Sequence, residues 1–496
     1  MKRQVYNPYL PLNEYIPDGE PHVFGDRVYI YGSHDVEGGD EYCMGDYVTY
    51  SAPVSDLTDW RYEGVIYKAD RDPMHDDGAN RYMYAPDVVR GNDGRYYLYY
   101  CFGGAHLVHV AVCDSPCGDF QYHGLVRNPD GSPLTRFIPG DPGVINDDGQ
   151  IRLYYGWSLA IPSEQAAAMG VGPEFLKSEQ MLGVQQMMFG KSREEILGEA
   201  EGIMGANEVE LEDNMLTIKG EVKRILPGQF AAGGTSFAGH AFYEASSIRK
   251  IGDTYYFIYS AQQNNQLCYA TSRYPDRDFV YGGVIISNCD VEYEGRSAAD
   301  ALNLAGTNHG SIECIDGKWY IFYHRLTHGT DYSRQACAEE IRIMPDGSIP
   351  QVEVTSCGLN GGPLVAKGTY PAAIACNITN GAMPNIQFER SKVNTEVPCV
   401  SHEGAEHFIT RITDGTRIGY KYFEFTGMVI ISVMTRGSGT GLLEISDDEG
   451  RIGEISVHPS DGWTLFETKV EAFGVKPLYF DYRGEGSLEL SDITFM

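Results

Sequence analysis

A short unit recurs five times along this chain: a turn holding an aspartate, followed at once by an aromatic-rich run. The units are Gly25-Asp26-Arg27-Val28-Tyr29-Ile30-Tyr31, Asp93-Gly94-Arg95-Tyr96-Tyr97-Leu98-Tyr99-Tyr100, Asp148-Gly149-Gln150-Ile151-Arg152-Leu153-Tyr154-Tyr155, Gly252-Asp253-Thr254-Tyr255-Tyr256-Phe257-Ile258-Tyr259 and Asp316-Gly317-Lys318-Trp319-Tyr320-Ile321-Phe322-Tyr323. Their aspartates lie 67, 55, 105 and 63 residues apart, a period of about sixty with one interruption. A strand–turn–strand unit of this size cannot bury its own sheet, but units stacked around an axis can, which makes a solenoid or a propeller. Asp18, Asp87, Asp141, Glu244 and His309 precede the turn aspartates by 8, 6, 7, 9 and 7 residues. Equivalent places in repeated blades become equivalent places around the axis, so these five side chains are expected to converge near one mouth of the central channel.

The chain has 496 residues, 69 of them acidic and 38 basic, for a formal charge of −31. Such a balance repels polyanions, so no nucleic acid partner is expected, whereas a neutral sugar meets no barrier. The 11 cysteines form no C-x-x-C pair, Cys113 and Cys117 being the nearest, and read as reduced thiols. The start, Met1-Lys2-Arg3-Gln4-Val5-Tyr6-Asn7-Pro8, runs straight into strand-like sequence, and no apolar stretch has the length of a leader or a membrane span. The expectation is a cytoplasmic protein with no membrane partner; its oligomeric state stays open.

Residues 1–355 read as a five-bladed propeller with a helical insertion over about 159–226, which accounts for the long step between the third and fourth units. Ser178-Glu179-Gln180-Met181-Leu182 reads as a helix start and Ser192-Arg193-Glu194-Glu195 as a capping box. The methionines of this segment, Met169, Met181, Met187 and Met188, are either a lid over the channel mouth or the packing face of short helices. After the Gly-rich stretch Cys357–Pro363 the unit stops recurring. Short alternating strands over 366–496 read as a β-sandwich of the jelly-roll kind. The fold class is all-β.

Carboxylates facing one another across a pocket suit glycosidic hydrolysis: one stays protonated to serve the departing oxygen, the other ionised to activate water or attack carbon. Taken singly, Asp18 before Gly19 and Asp141 before Pro142 are ordinary turn residues. Their shared offset to the repeat gives them weight.

With these residues in view, the chain resembles glycoside hydrolase family 43, five-bladed propellers that cleave furanosides and xylosides with inversion. The likeness rests on Asn7-Pro8 leading to Ile16-Pro17-Asp18, Ala85-Pro86-Asp87-Val88, Asp141-Pro142-Gly143-Val144-Ile145, His240-Ala241-Phe242-Tyr243-Glu244-Ala245-Ser246 and Asn308-His309-Gly310-Ser311, in that order. The resemblance implies Asp18 as general base, Glu244 as general acid and Asp141 as the carboxylate that orients the acid and raises its pKa. Tyr84 stands where the family usually has tryptophan before Ala-Pro-Asp, and Asp87 either touches substrate or bonds backbone amides. His309 matches an axial histidine that faces a central water or a structural calcium ion. Arg325 is expected to bind a sugar hydroxyl or a catalytic carboxylate, His34 and Asp35 to reach the pocket mouth, and Trp157 to offer a sugar ring an apolar face; each reads equally as blade packing or a structural ion pair.

The segment 366–496 resembles a family 6 carbohydrate-binding module, on Arg417-Ile418-Gly419-Tyr420-Lys421-Tyr422-Phe423 and the closing Leu490–Phe495. Tyr420 and Trp463 are its candidate stacking residues, with core packing the safer reading. The implied activity is an inverting exo-glycosidase on short neutral oligosaccharides, α-L-arabinofuranosidase ahead of β-D-xylosidase. Endo-arabinanase, a galactan-directed exo enzyme and a non-catalytic glycan-binding propeller are the alternatives. No organic cofactor is expected.

Overall fold

The computed structural model describes residues 3–103, 106–381, 383–389 and 397–496. Four-stranded antiparallel sheets form the first four blades. They comprise β1–β4 (Glu20–Phe24, Arg27–Tyr31, Tyr47–Pro53, Arg61–Tyr67), β5–β8 (Met83–Arg90, Tyr96–Phe102, His109–Cys113, Gln121–Leu125), β9–β12 (Gly143–Asp147, Gln150–Trp157, Gly205–Leu211, Ile218–Pro227) and β13–β16 (Phe242–Ile251, Thr254–Ala261, Gln266–Ser272, Val280–Ser287). The fifth blade has three strands, β17–β19 (Ile312–Ile315, Lys318–Leu326, Arg334–Ile341). Its outer edge is covered by the N-terminal segment, where Tyr9 N donates to the Ala336 carbonyl and the Asn7 side chain bonds both polar groups of the Ala338 backbone. Gly19 bridges Gly310 in parallel and closes the ring between blades one and five.

The repeated unit is the hairpin between the first and second strand of each blade. Asp148-Gly149 and Asp316-Gly317 hold φ of 51° and 93°, and 50° and 77°, the positive pair that a two-residue hairpin with matching twist needs. Each tyrosine run is the second strand, clasped between neighbouring blades and buried on both faces, which explains its unbroken apolar pattern. Tyrosine suits the position because its hydroxyl can serve a loop carbonyl while the ring stays dry. Tyr31, Tyr99, Tyr154, Tyr155 and Tyr259 donate to the carbonyls of Pro116, Met215, Pro275, Arg136 and His240.

Helices α1–α4 (Ser163–Met169, Pro173–Leu176, Glu179–Phe189, Arg193–Gly198) sit between β10 and β11. The insertion expected over 159–226 is therefore confined to 163–198 and interrupts blade three from within; β11 and β12 then complete that blade. These two strands lack a tyrosine run, which hid them. Ser178 caps α3 by accepting from Met181 N, and Ser192 with Glu195 forms the capping box of α4.

The C-terminal domain is all-β, as expected. Its strands are β20–β29 (Leu364–Val365, Gly368–Pro371, Asn377–Thr379, Cys399–Glu403, Glu406–Ile412, Arg417–Gly437, Thr440–Ser446, Arg451–Val457, Ser460–Glu485, Leu488–Phe495), joined in one ten-stranded sheet around a single apolar core. The long pair β25 and β28 carries most of that sheet. No helix among the described residues is long and apolar enough to cross a membrane, and all 11 cysteines are free.

Candidate active site

Two adjoining cavities open at one end of the propeller axis. The first, about 220 Å³, is lined by Asp18, Asp141 and Glu244 with Tyr42, Tyr84, Trp157, Tyr243, His309, Arg334 and Gln387 among its walls. The second, about 330 Å³, shares Tyr84, Asp141, Trp157 and Glu244 and runs out to Phe102, His106, Met188 and Phe189. Three carboxyls from three blades thus meet at one place.

Local backbone irregularity aims each of them. Asp18 and Asp141 lead into β1 and β9 with φ of 58° and 45°, a left-handed conformation that turns the side chain back over the channel mouth. Glu244 lies inside a bulged stretch of β13, where register slips between Phe242 and Ser247 and Ala245 has φ of 69°. Such a bulge re-aims a side chain that regular pleating would bury in the blade. Gly143 explains the Asp-Pro-Gly run. A Cβ there would stand 2.3 Å from the Ser246 carbonyl oxygen, so only glycine lets β9 approach β13 closely enough for Ala245 N to donate to Asp141 Oδ2 at 3.1 Å.

The three carboxyls have opposite electrostatic settings. Burial acts to raise Asp18, but the Arg334 guanidinium, then His309, His324 and Ser33, hold it below the usual carboxylate range. Arg334 Nη1 donates to its two oxygens at 3.0 and 3.3 Å. Glu244 stands well above its ordinary value because it is buried and faces the Asp141 and Asp18 charges, against a smaller pull from Arg334 and a bond from Trp157. Asp141 is raised as well, by burial first, with His309 opposing and Asp18 adding to the shift. Burial and charge thus push two carboxyls of one cavity up and hold the third down, the separation that acid and base roles need.

Several expected site residues lie elsewhere. Arg325 points away from the pocket: its guanidinium bonds the Gln335 side chain and the Ala373 and Ala375 carbonyls, at 2.6 and 3.0 Å, and so ties blade five to the C-terminal domain. Arg325→Ala is expected to lower stability by about 2–3 kcal/mol, the value of charge-assisted bonds to carbonyls, and to leave kcat on a pentoside near wild type; thermal melting with an activity assay checks both. His34 is fixed between the Asp46 carbonyl (2.7 Å) and Glu14 (2.9 Å), outside the lining. Asp35 is buried behind the wall, where it accepts both Nε and Nη2 of Arg334 at 2.9 Å. Asp87 is wholly buried below the pocket and accepts from the Val88 and Val144 amides, each at 2.7 Å, and meets His22 at 2.6 Å. It is a brace for the channel wall.

Trp157 and His309 line the first cavity. The Trp157 ring packs against Phe189 of α3, and Met188 beside it walls the second cavity. Met181 is core, while Met169 and Met187 are exposed. His309 Nδ1 lies 3.8 Å from Asp18 Oδ1. Among the described residues it belongs to no group of three ligating side chains, so protein side chains alone do not build a calcium cage around it. Arg334, Tyr42, Tyr84, Tyr243 and Gln387 are pocket residues that sequence reasoning missed. Arg334 had a usable signal: it opens the strand after the fifth unit, where it directly follows a turn-rich Gly-Thr-Asp-Tyr-Ser stretch. In the C-terminal domain Tyr420 is core, and the half-buried Trp463 is covered by Arg436 and bonds Glu406.

A five-bladed propeller with buried, oppositely tuned carboxyls at one channel mouth defines a glycosidase scaffold. The profile of glycosyl hydrolases family 43 matches residues 16–171 and 180–349, and the chain belongs to that family. It is similar to a xylosidase/arabinosidase of Thermoclostridium stercorarium, 42% identical over 508 aligned positions covering 100% of this chain and 99% of the relative. It is also similar to xylosidase/arabinosidase 43A of Humicola insolens, 30% identical over 68% of this chain and 97% of the relative. Among solved structures, a β-xylosidase superposes with a TM-score of 0.50 at 26% identity, covering 68% of this chain and 96% of that one. The GH43_1 enzyme of Xanthomonas citri complexed with xylotriose shares the fold, with a TM-score of 0.52 at 23% identity over 71% of this chain and 94% of that one.

Proposed function

We propose that this chain is an inverting exo-glycosidase releasing terminal pentoses from short oligosaccharides, α-L-arabinofuranose ahead of β-D-xylose. The observation that carries the reading is the opposed tuning of Asp18 and Glu244 around one cavity. Relatives named xylosidase/arabinosidase support the choice of sugar. In this reading Asp18, kept ionised by Arg334, takes a proton from the attacking water. Glu244 gives its proton to the departing oxygen, and Asp141 keeps that proton on Glu244 until the bond breaks. The terminal pentose fills the first cavity. The leaving group lies in the second, against the apolar wall that α3 supplies with Met188 and Phe189.

The C-terminal domain acts here as a brace: Gln387, between its strands β22 and β23, reaches the pocket and donates to the Tyr243 hydroxyl at 2.6 Å. Glycan binding by this domain gains no support from Tyr420, which is buried. Eleven free thiols support a cytoplasmic setting.

Aryl α-L-arabinofuranoside, β-D-xylopyranoside and β-D-galactopyranoside, with NMR of the first-formed anomer, test the reading. Pentoside cleavage with inversion is expected; retention, or activity on the galactoside alone, overturns it. The pH profile follows from the same shifts. The rate should rise as Asp18 ionises, at a pH below the usual carboxylate range, and fall only as pH climbs through the raised Glu244 value. A kcat/KM profile should therefore be a broad bell with a low acid limb.

A further inference from the structure

Three histidines and a glutamate gather where the propeller meets the C-terminal domain, on the far side of the pocket wall. Glu37 comes from the loop between β2 and β3, His328 from the loop between β18 and β19, and His402 and His407 are cross-strand partners on β23 and β24. Glu37 Oε1 lies 2.7 Å from His407 Nε2 and 3.5 Å from His402 Nδ1, and His402 Nδ1 lies 2.8 Å from His328 Nε2. Ligand atoms of Glu37, His328 and His402 all fall within 4.8 Å of one another.

The Thr327 hydroxyl lies 2.8 Å from both the Ser333 carbonyl and His328 Nδ1. His328 Nε2 faces His402, with its other nitrogen anchored by Thr327, as the second nitrogen of a metal-bound imidazole usually is. We propose that Glu37, His328 and His402 form a binding site for a borderline divalent transition-metal ion, zinc foremost, with His407 holding Glu37 in place, and that the ion staples the catalytic propeller to the C-terminal domain. Two imidazoles and one carboxylate match zinc, with water in the fourth position, rather than calcium or magnesium, which require oxygen. Tetrahedral bonds of about 2.0 Å separate ligand atoms by about 3.3 Å. The 2.8 Å from His328 Nε2 to His402 Nδ1 and the 3.5 Å from His402 Nδ1 to Glu37 Oε1 bracket that value.

The staple would bear on the pocket as well. Glu37 stands two residues from Asp35, and His328 six residues before Arg334, so the ion would pin both loops that hold the Asp35–Arg334–Asp18 chain.

The test uses the full chain stripped with EDTA and titrated with Zn2+ by calorimetry, with Co2+ absorption as the reporter of ligation. One equivalent of Zn2+ should bind with Kd below about 1 µM, raise the melting temperature and give a visible Co2+ band, while Ca2+ at the same concentration does neither. His402→Gln and Glu37→Gln, each checked for fold by circular dichroism, should weaken binding at least about 10-fold and abolish the thermal shift. Failure of Zn2+ to bind, binding undiminished in both variants, or equal binding of Ca2+ would overturn the proposal.

Discussion

Glu244→Ala should lower kcat on pentosides with poor leaving groups by roughly 10²–10⁴, and far less on dinitrophenyl pentosides. A general acid matters in proportion to how much the departing oxygen needs a proton, so leaving-group dependence separates this role from binding or folding. The shift that makes Glu244 an acid has a named origin: burial first, then the Asp141 and Asp18 charges. Asp141→Asn removes the larger of those two charges while keeping shape. It should therefore lower the Glu244 pKa and move the basic limb of kcat/KM to lower pH. In Glu244→Ala that limb should vanish. Initial rates across pH on two substrates of different leaving-group pKa decide the matter, and an equal loss on both would remove Glu244 from the role.

The five units were legible because everything they need is local. An Asp-Gly or Gly-Asp turn fixes a hairpin, and an unbroken aromatic run marks a strand buried on both faces. The three carboxyls were legible because repeat symmetry converts a shared offset into a shared place. What failed was direction, which depends on register. On β18, His324 turns inward beside Asp18 while Arg325 turns outward to the Ala373 carbonyl, and a one-residue alternation reverses the two roles. His34 and Asp35 failed in the same way, one turning to Glu14 and the other to Arg334. Blade three hid its outer strands because Gly205–Leu211 and Ile218–Pro227 carry no aromatic run, and helices separate them from the unit they complete. Gln387 had no signal at all, since it reaches the pocket from outside the repeat.

The largest effect on both stability and pH dependence is expected from Arg334→Met. Arg334 is 4% exposed and lies between Asp18 and Asp35. It holds Asp35 through two guanidinium nitrogens and Asp18 through a third. Removing the cation leaves two carboxylates buried without compensation, which costs about 3–5 kcal/mol. Burial, the largest influence on Asp18, would then act unopposed by its main counter-charge, so its pKa must rise. The acid limb of kcat/KM should move up by about 1–3 pH units. Arg334→Lys keeps the charge but not the fork, and should fold better with a smaller shift. Asp35→Asn is the informative opposite: it keeps a hydrogen-bond partner, releases Arg334 from its second anion, and should leave the acid limb where it is or lower. Chemical denaturation and pH profiles of the three variants give the answer together. If all three share the wild-type acid limb, then the charge that keeps Asp18 ionised does not come from Arg334.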